Sequence, residues 1–168
     1  MSEPIVNKVA ESALVTIDLE MFLPQEQPVV FDLKDYLFMG LILKEKDFRE
    51  ALRTTEWDVY KDKTVLVICS ADAIVPVWAY MLIASYLKTQ THNVFMESEQ
   101  QWRQRNLLQN INNINANEYS GKRVVIKGCG DKPIPPEAYL EITKIVQPVA
   151  KSIMYGEPCS TVPIYKQK

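Results

Sequence analysis

Three cysteines stand in a chain otherwise poor in reactive side chains: Cys69, Cys129 and Cys159, with His92 as the single histidine. A thiolate is both a nucleophile and a soft-metal ligand, so these positions are the first candidates for chemistry. Each has a carboxylate close by in sequence: Asp72 after Cys69, Asp131 after Cys129, Glu157 before Cys159. Lys132 adds a cation that can counter this charge or hold an anion. Gly128, Gly130 and Gly156, three of the five glycines, fall in the same segments. In a glycine-poor chain they mark backbone that needs unusual angles or close approach. No CxxC pair or other short ligand spacing is present.

The elements around these residues follow from periodicity. Short runs rich in β-branched residues occur at 64–69 (TVLVIC), 93–97 (NVFME), 123–128 (RVVIKG) and 151–156 (KSIMYG). Their starts fall about thirty residues apart, the length of a βαβ unit. The segments between them suit crossover helices: the apolar run opened by Pro76, the stretch EQQWRQRNLLQNINNI from Glu99, and the segment from Pro135, where Ala138, Ile142, Ile145 and Val149 share a helical face. This alternation predicts an α/β fold of three layers, with a mostly parallel sheet covered on both faces. In the first sixty residues, 14–19, 29–33 and 40–44 read as strands with short connections, and Asp47 as the cap of a helix ending before Trp57. The expected domain is single: an antiparallel extension over 1–60, a parallel βαβ core over 61–160 and a partly mobile tail over 161–168. No internal sequence repeat is evident, despite the regular spacing.

On this reading Cys69, Cys129 and Cys159 each follow a parallel strand, so all three thiols gather at the carboxyl edge of one sheet. Open α/β sheets bind their ligands at that edge. Three chemistries fit. The cysteines can jointly hold zinc or an iron–sulfur cluster, with Asp72, Asp131, Glu157 or an external group as a further ligand. One cysteine, Cys159 or Cys129, can act as a nucleophile or sulfur carrier. All three can instead be small buried hydrophobes at strand ends, a common fate of free cysteine.

Other signals are weaker. The loop from Ser70 to Asp72 follows a strand and leads toward a helix, so its N–H groups could receive a phosphate or carboxylate, and Gly128, Gly130 and Lys132 offer the same at the other loop. Helix capping by Ser70 or Asp72 explains the first as well. There is no Walker loop and no GxGxxG. His92 precedes a strand and so falls at the opposite edge, as a solvated turn residue, which opposes serine–histidine–aspartate catalysis. Trp78 reads as core, and Trp102, beside Arg103 and Arg105, as core or partner-facing.

Composition bounds the partners. The 168 residues are 47% hydrophobic and 24% charged, ordinary globular usage. A formal charge of -2 without a basic aromatic stripe argues against nucleic acid. The apolar run at 73–87 is too short to span a bilayer, no secretory signal opens the chain, and three separated cysteines do not make a disulfide scaffold. A cytoplasmic protein with reduced thiols, making no membrane contact, is expected.

The blocks VNKVAESALVTIDLE, FDLKDYLFMGLILKEKDFR, CSADAIVPVWAYM, VVIKGCGDKPIPPEAY and AKSIMYGEPCSTVPIYK together cover essentially the full chain. They resemble an uncharacterised bacterial family known only as a domain of unknown function. Cys69, Asp72, Cys129, Asp131, Glu157 and Cys159 match the family's marked blocks. The resemblance carries no catalytic residues. It does imply a setting, because genes of this kind often lie near those of SUF-type iron–sulfur assembly. The expected function is an accessory role there, with assembly proteins as partners. The alternatives are a thiol-dependent transferase and a non-catalytic interaction domain.

Overall fold

A computed structural model of the chain describes residues 14–128, 130–157 and 160–168. The strands are β1 (Leu14–Asp18), β2 (Val29–Asp32), β3 (Val65–Ile68), β4 (Val94–Phe95), β5 (Arg123–Lys127), β6 (Ser152–Glu157) and β7 (Ser160–Lys166). The α-helices are α1 (Glu45–Thr54), α2 (Val77–Leu87), α3 (Glu99–Asn112) and α4 (Pro136–Val146). Four 3-10 turns, at Leu19–Phe22, Leu33–Tyr36, Trp57–Tyr60 and Ala116–Tyr119, join them.

The α/β class and the mostly parallel pairing are present, but the strands divide between two sheets, ordered β1-β5-β6-β7 and β2-β3-β4. The chain forms two compact units to match: unit 1 is Met1–Pro24 with Arg103–Lys168, and unit 2 is Gln25–Trp102. Among the described residues the expected antiparallel N-terminal extension is not found. β1 runs parallel to β5 and β2 parallel to β3. The antiparallel pair is β6 with β7, so residues expected as a tail are an edge strand. Residues 40–44 make no strand. Met39 and Gly40 have positive φ, and only the isolated bridges of Ile42 with Phe38 and Ile74 form there. Asp47 lies inside the first turn of α1 rather than capping it.

In each unit the helices pack on the sheet through one buried cluster. In unit 1, Ile17, Val124, Ile126 and Ile153 of the sheet share one buried cluster with Leu107 and Ile111 of α3 and Ala138, Ile142 and Val146 of α4. In unit 2, Phe31, Val65 and Val67 share one with Phe48 and Leu52 of α1 and Ala79, Ile83 and Leu87 of α2. Both helices of a unit therefore lie on the same sheet face. Trp78 packs against the unit 2 cluster, and Trp102 is buried. Among the described residues no helix is long and apolar enough to cross a membrane.

The two units repeat each other, which corrects the expectation of no internal repeat. Residues 59 positions apart play the same part from α1 through β4 and from α3 into β6. Phe48 and Leu107, Leu52 and Ile111, Ala79 and Ala138, and Ile83 and Ile142 are all buried. The backbone agrees. The Ala79 N–H donates to the Pro76 carbonyl and the Ala138 N–H to the Pro135 carbonyl, each at 3.0 Å. The motif PxxAYxxI occurs at both Pro76 and Pro135. The opening strands correspond too. Asp18 ends β1 and its carboxylate accepts from the Glu20 N–H at 3.1 Å; Asp32 ends β2 and accepts from the Lys34 N–H at 3.0 Å. Unit 2 is thus inserted in unit 1, after β1 and its 3-10 turn.

Candidate functional site

The carboxyl ends of β1, β5 and β6 are adjacent in unit 1. Parallel register sets Asp18 opposite Lys127, and Ile126 opposite Tyr155. Lys127 Nζ lies 3.2 Å from Asp18 Oδ2 and 3.8 Å from Glu157 Oε1. The hydrogen bond to Asp18, helped by the charges of Asp18 and Glu157, raises the Lys127 pKa above its ordinary 10.5. A cavity of about 200 Å³ opens there, lined by Asp18, Glu20, Lys127, Gly130, Asp131 and Glu157. Its walls are predominantly carboxylate, with one ammonium held among them.

Two glycines let this edge close up. A Cβ on Gly130 would overlap the Glu20 carboxylate, so a larger residue there would require that flexible side chain to swing aside. A Cβ on Gly128 would fall 2.5 Å from the Tyr139 hydroxyl, and the Tyr139 ring meets Tyr155 edge-on at 5.7 Å. Gly156, at φ 117, forms the end of β6 with its would-be Cβ 2.5 Å from the Ser160 carbonyl oxygen.

The corresponding edge of unit 2 is built differently. Cys69 follows β3, half-buried, and its Sγ lies 3.6 Å from the Ala71 carbonyl oxygen that accepts from it. The Ser70 N–H and hydroxyl both donate to Asp32, at 3.0 Å and 2.5 Å. Burial pushes the Asp32 pKa up, but the bonds from the Ser70 hydroxyl, the Ser70 N–H and the Lys34 N–H prevail and lower it from the usual 3.8. The Ser70 N–H, expected to be available to a phosphate, is thus used on Asp32 at the end of β2. Asp72 lies exposed a few residues on.

The sequence candidates therefore fall into two groups. Gly130, Asp131 and Glu157 come together around one cavity, while Gly128 is buried just after β5 and Lys132 is exposed in the following loop. Cys69, Ser70 and Asp72 belong to the other unit and follow a strand of a different sheet, so the expectation of a single edge shared by three thiols does not hold. Cys129 and Cys159 lie outside the described residues. Among the described residues, no three His, Cys, Asp or Glu side chains come together as a metal site. His92 is exposed before β4, as the sequence implied. Sequence reading missed Asp18, Glu20 and Lys127. The signal for Asp18 was its place at the carboxyl end of a strand, shared with Asp32.

Comparison with curated proteins and with solved structures gives no match. A family model described as "Protein of unknown function (DUF2480)" matches residues 3–167, nearly the whole chain, and the chain belongs to that family.

Proposed function

We propose that the protein is an accessory of iron–sulfur cluster assembly that holds a metal, a cluster or sulfur as cargo at the carboxyl edge of the unit 1 sheet. Cys129 and Cys159 supply the thiols, with Asp131 and Glu157 beside them. The observation that carries this reading is the adjacency of β5 and β6. Gly130 and Asp131, after the carboxyl end of β5, and Glu157, at the carboxyl end of the neighbouring parallel β6, line one carboxylate-rich cavity. Two thiolates with nearby carboxylates suit zinc or iron. The setting beside SUF-type assembly that the family resemblance implies is the ground for this choice of cargo and of assembly proteins as partners. Cys69, on the other sheet, is left out of the ligand set.

The test is metal and acid-labile sulfide analysis of anaerobically purified protein and of its Cys69→Ser, Cys129→Ser and Cys159→Ser variants. The expected result is bound iron or zinc that survives Cys69→Ser and is lost in the other two. Unchanged metal in Cys129→Ser and Cys159→Ser overturns the reading. Metal-free protein in which Cys129 or Cys159 takes the outer sulfur of a persulfide donor, leaving the donor as its thiol, supports the thiol-dependent transferase instead. Neither metal nor persulfide leaves the interaction domain.

A further inference from the structure

The carboxyl edge of the unit 2 sheet carries a broad apolar surface. After β2 and its 3-10 turn, the Phe38 N–H donates to the Ile42 carbonyl at 2.7 Å. Met39 and Gly40 turn the chain between them, at φ 53° and 71°. The small loop closed in this way leaves Phe38, Met39, Leu41 and Ile42 exposed, Met39 at 79%. Ile42 also bridges to Ile74, in the segment after β3, which is 90% exposed. Val77 and Met81 are exposed on α2, on the side of the helix away from its buried Ala79, Ile83 and Leu87. These side chains together leave on the order of 800 Å² in water, above the largest apolar patch of an ordinary monomer and close to what each partner contributes to a stable protein interface. The repeat does not require them, because Pro133 and Pro136 stand in unit 1 where Ile74 and Val77 stand in unit 2.

We propose that this face is the interface of a homodimer, covered by the same face of a second copy of the chain. The area is that of one half of such an interface. A two-fold contact sets a patch against itself, so it needs no second complementary surface. The charges that bracket the patch have both signs: Lys34 and Asp35 before the loop, Lys44 and Glu45 after it, and Asp72 before Ile74. Lys44 Nζ lies 3.2 Å from the centre of the Phe38 ring, which holds a cation at the rim. A mixed rim lets a two-fold axis pair cation with anion, whereas an anionic lipid surface selects a basic one. The inference uses neither the cysteines nor the cargo.

The experiment is sedimentation velocity of the full chain in reducing buffer, from about 1 to 100 µM, so that no intermolecular disulfide contributes. The expected species has twice the mass of the chain. Met39→Glu and Ile74→Glu each place a charge at the contact in both copies, and each should raise the dissociation constant by about a hundredfold or more. Leu140→Glu, at an exposed position of unit 1, should leave the dimer in place. Circular dichroism checks that the variants fold; both sites are exposed, and either one carries the test if the other fails. A monomer at 100 µM overturns the inference. So does a dimer that both charges leave intact, because its interface then lies elsewhere. A monomer that binds phosphatidylglycerol vesicles and loses them in Ile74→Glu overturns it in favour of a membrane surface.

Discussion

Asp62 and Gly121 hold one backbone conformation at one step of two units. Their φ angles are 57° and 67°. Each N–H closes the turn before a strand, Asp62 to the Gln90 carbonyl at 3.0 Å and Gly121 to the Val149 carbonyl at 2.9 Å. The partners, like the donors, lie 59 residues apart. Aspartate tolerates this left-handed region better than most residues with a Cβ, and glycine occupies it without penalty.

Gly121→Ala should therefore cost about 1 kcal/mol, because the left-handed angle is strained for alanine. A Cβ there would meet no atom within 4 Å, so the cost is in the backbone and not in a clash. Asp62→Gly should be neutral to within about 0.5 kcal/mol, as relief of strain offsets the added freedom of the unfolded chain. Urea denaturation of both variants measures this. A neutral Gly121→Ala would mean that the turn does not keep its angle in solution.

Asp32→Ala removes the acceptor for Ser70 and Lys34 together, and should destabilise the protein by about 1 kcal/mol near pH 7. The folded pKa of Asp32 is lowered, so its contribution is present above the ordinary value of 3.8 and fades as pH falls through the folded value. The gap between wild type and Asp32→Ala should accordingly be steady from pH 5 to pH 8 and narrow below pH 4. Thermal melts across that range check it; a gap that widens in acid has the wrong sign.

Strand and helix existence was legible because it depends on local pattern. Residues 64–69 and 123–128 became β3 and β5, and the segments opened by Pro76 and Pro135 became α2 and α4. Sheet membership was not, because a short apolar run does not name its partner. β1 pairs with a strand more than a hundred residues away, across the inserted unit, whereas β2 finds β3 nearby. The same distance hid Asp18 and Lys127. The repeat was visible in principle, since PxxAYxxI stands twice, at Pro76 and Pro135. Elsewhere it survives mainly as matched burial, such as Phe48 with Leu107, which composition alone does not reveal. Asp131 and Glu157 were singled out as carboxylates within a few residues of Cys129 and Cys159, and both line the cavity at the carboxyl ends of β5 and β6.

Matched burial gives a matched pair of variants. Leu52 and Ile111 are both fully buried, each on the inner face of the helix that precedes its unit's central strand. Truncation to alanine at either should cost about 2–4 kcal/mol, the lost transfer energy plus the cavity left behind. Chemical denaturation reads both, and a cost below about 1 kcal/mol at one position would show that its helix does not pack as described.

Gly128 and Cys69 occupy the same step of the repeat, one without and one with a Cβ. Tyr139 stands where Tyr80 stands in unit 2. The Tyr80 pKa is raised first by burial and then by the charge of the nearby Cys69. In unit 1 the Tyr139 hydroxyl sits only 2.5 Å from where a Gly128 Cβ would be, and Ile134 Cγ1 lies 3.1 Å from it. Gly128→Ala should thus cost about 1–2 kcal/mol through overpacking. Tyr139→Phe removes the atom that clashes most closely, at the cost of the hydroxyl's own interactions. The double variant Gly128→Ala with Tyr139→Phe should be more stable than the two single losses summed, with a coupling of about 1 kcal/mol. A double-mutant cycle in urea measures the coupling, and strict additivity would show that the hydroxyl does not lie over Gly128.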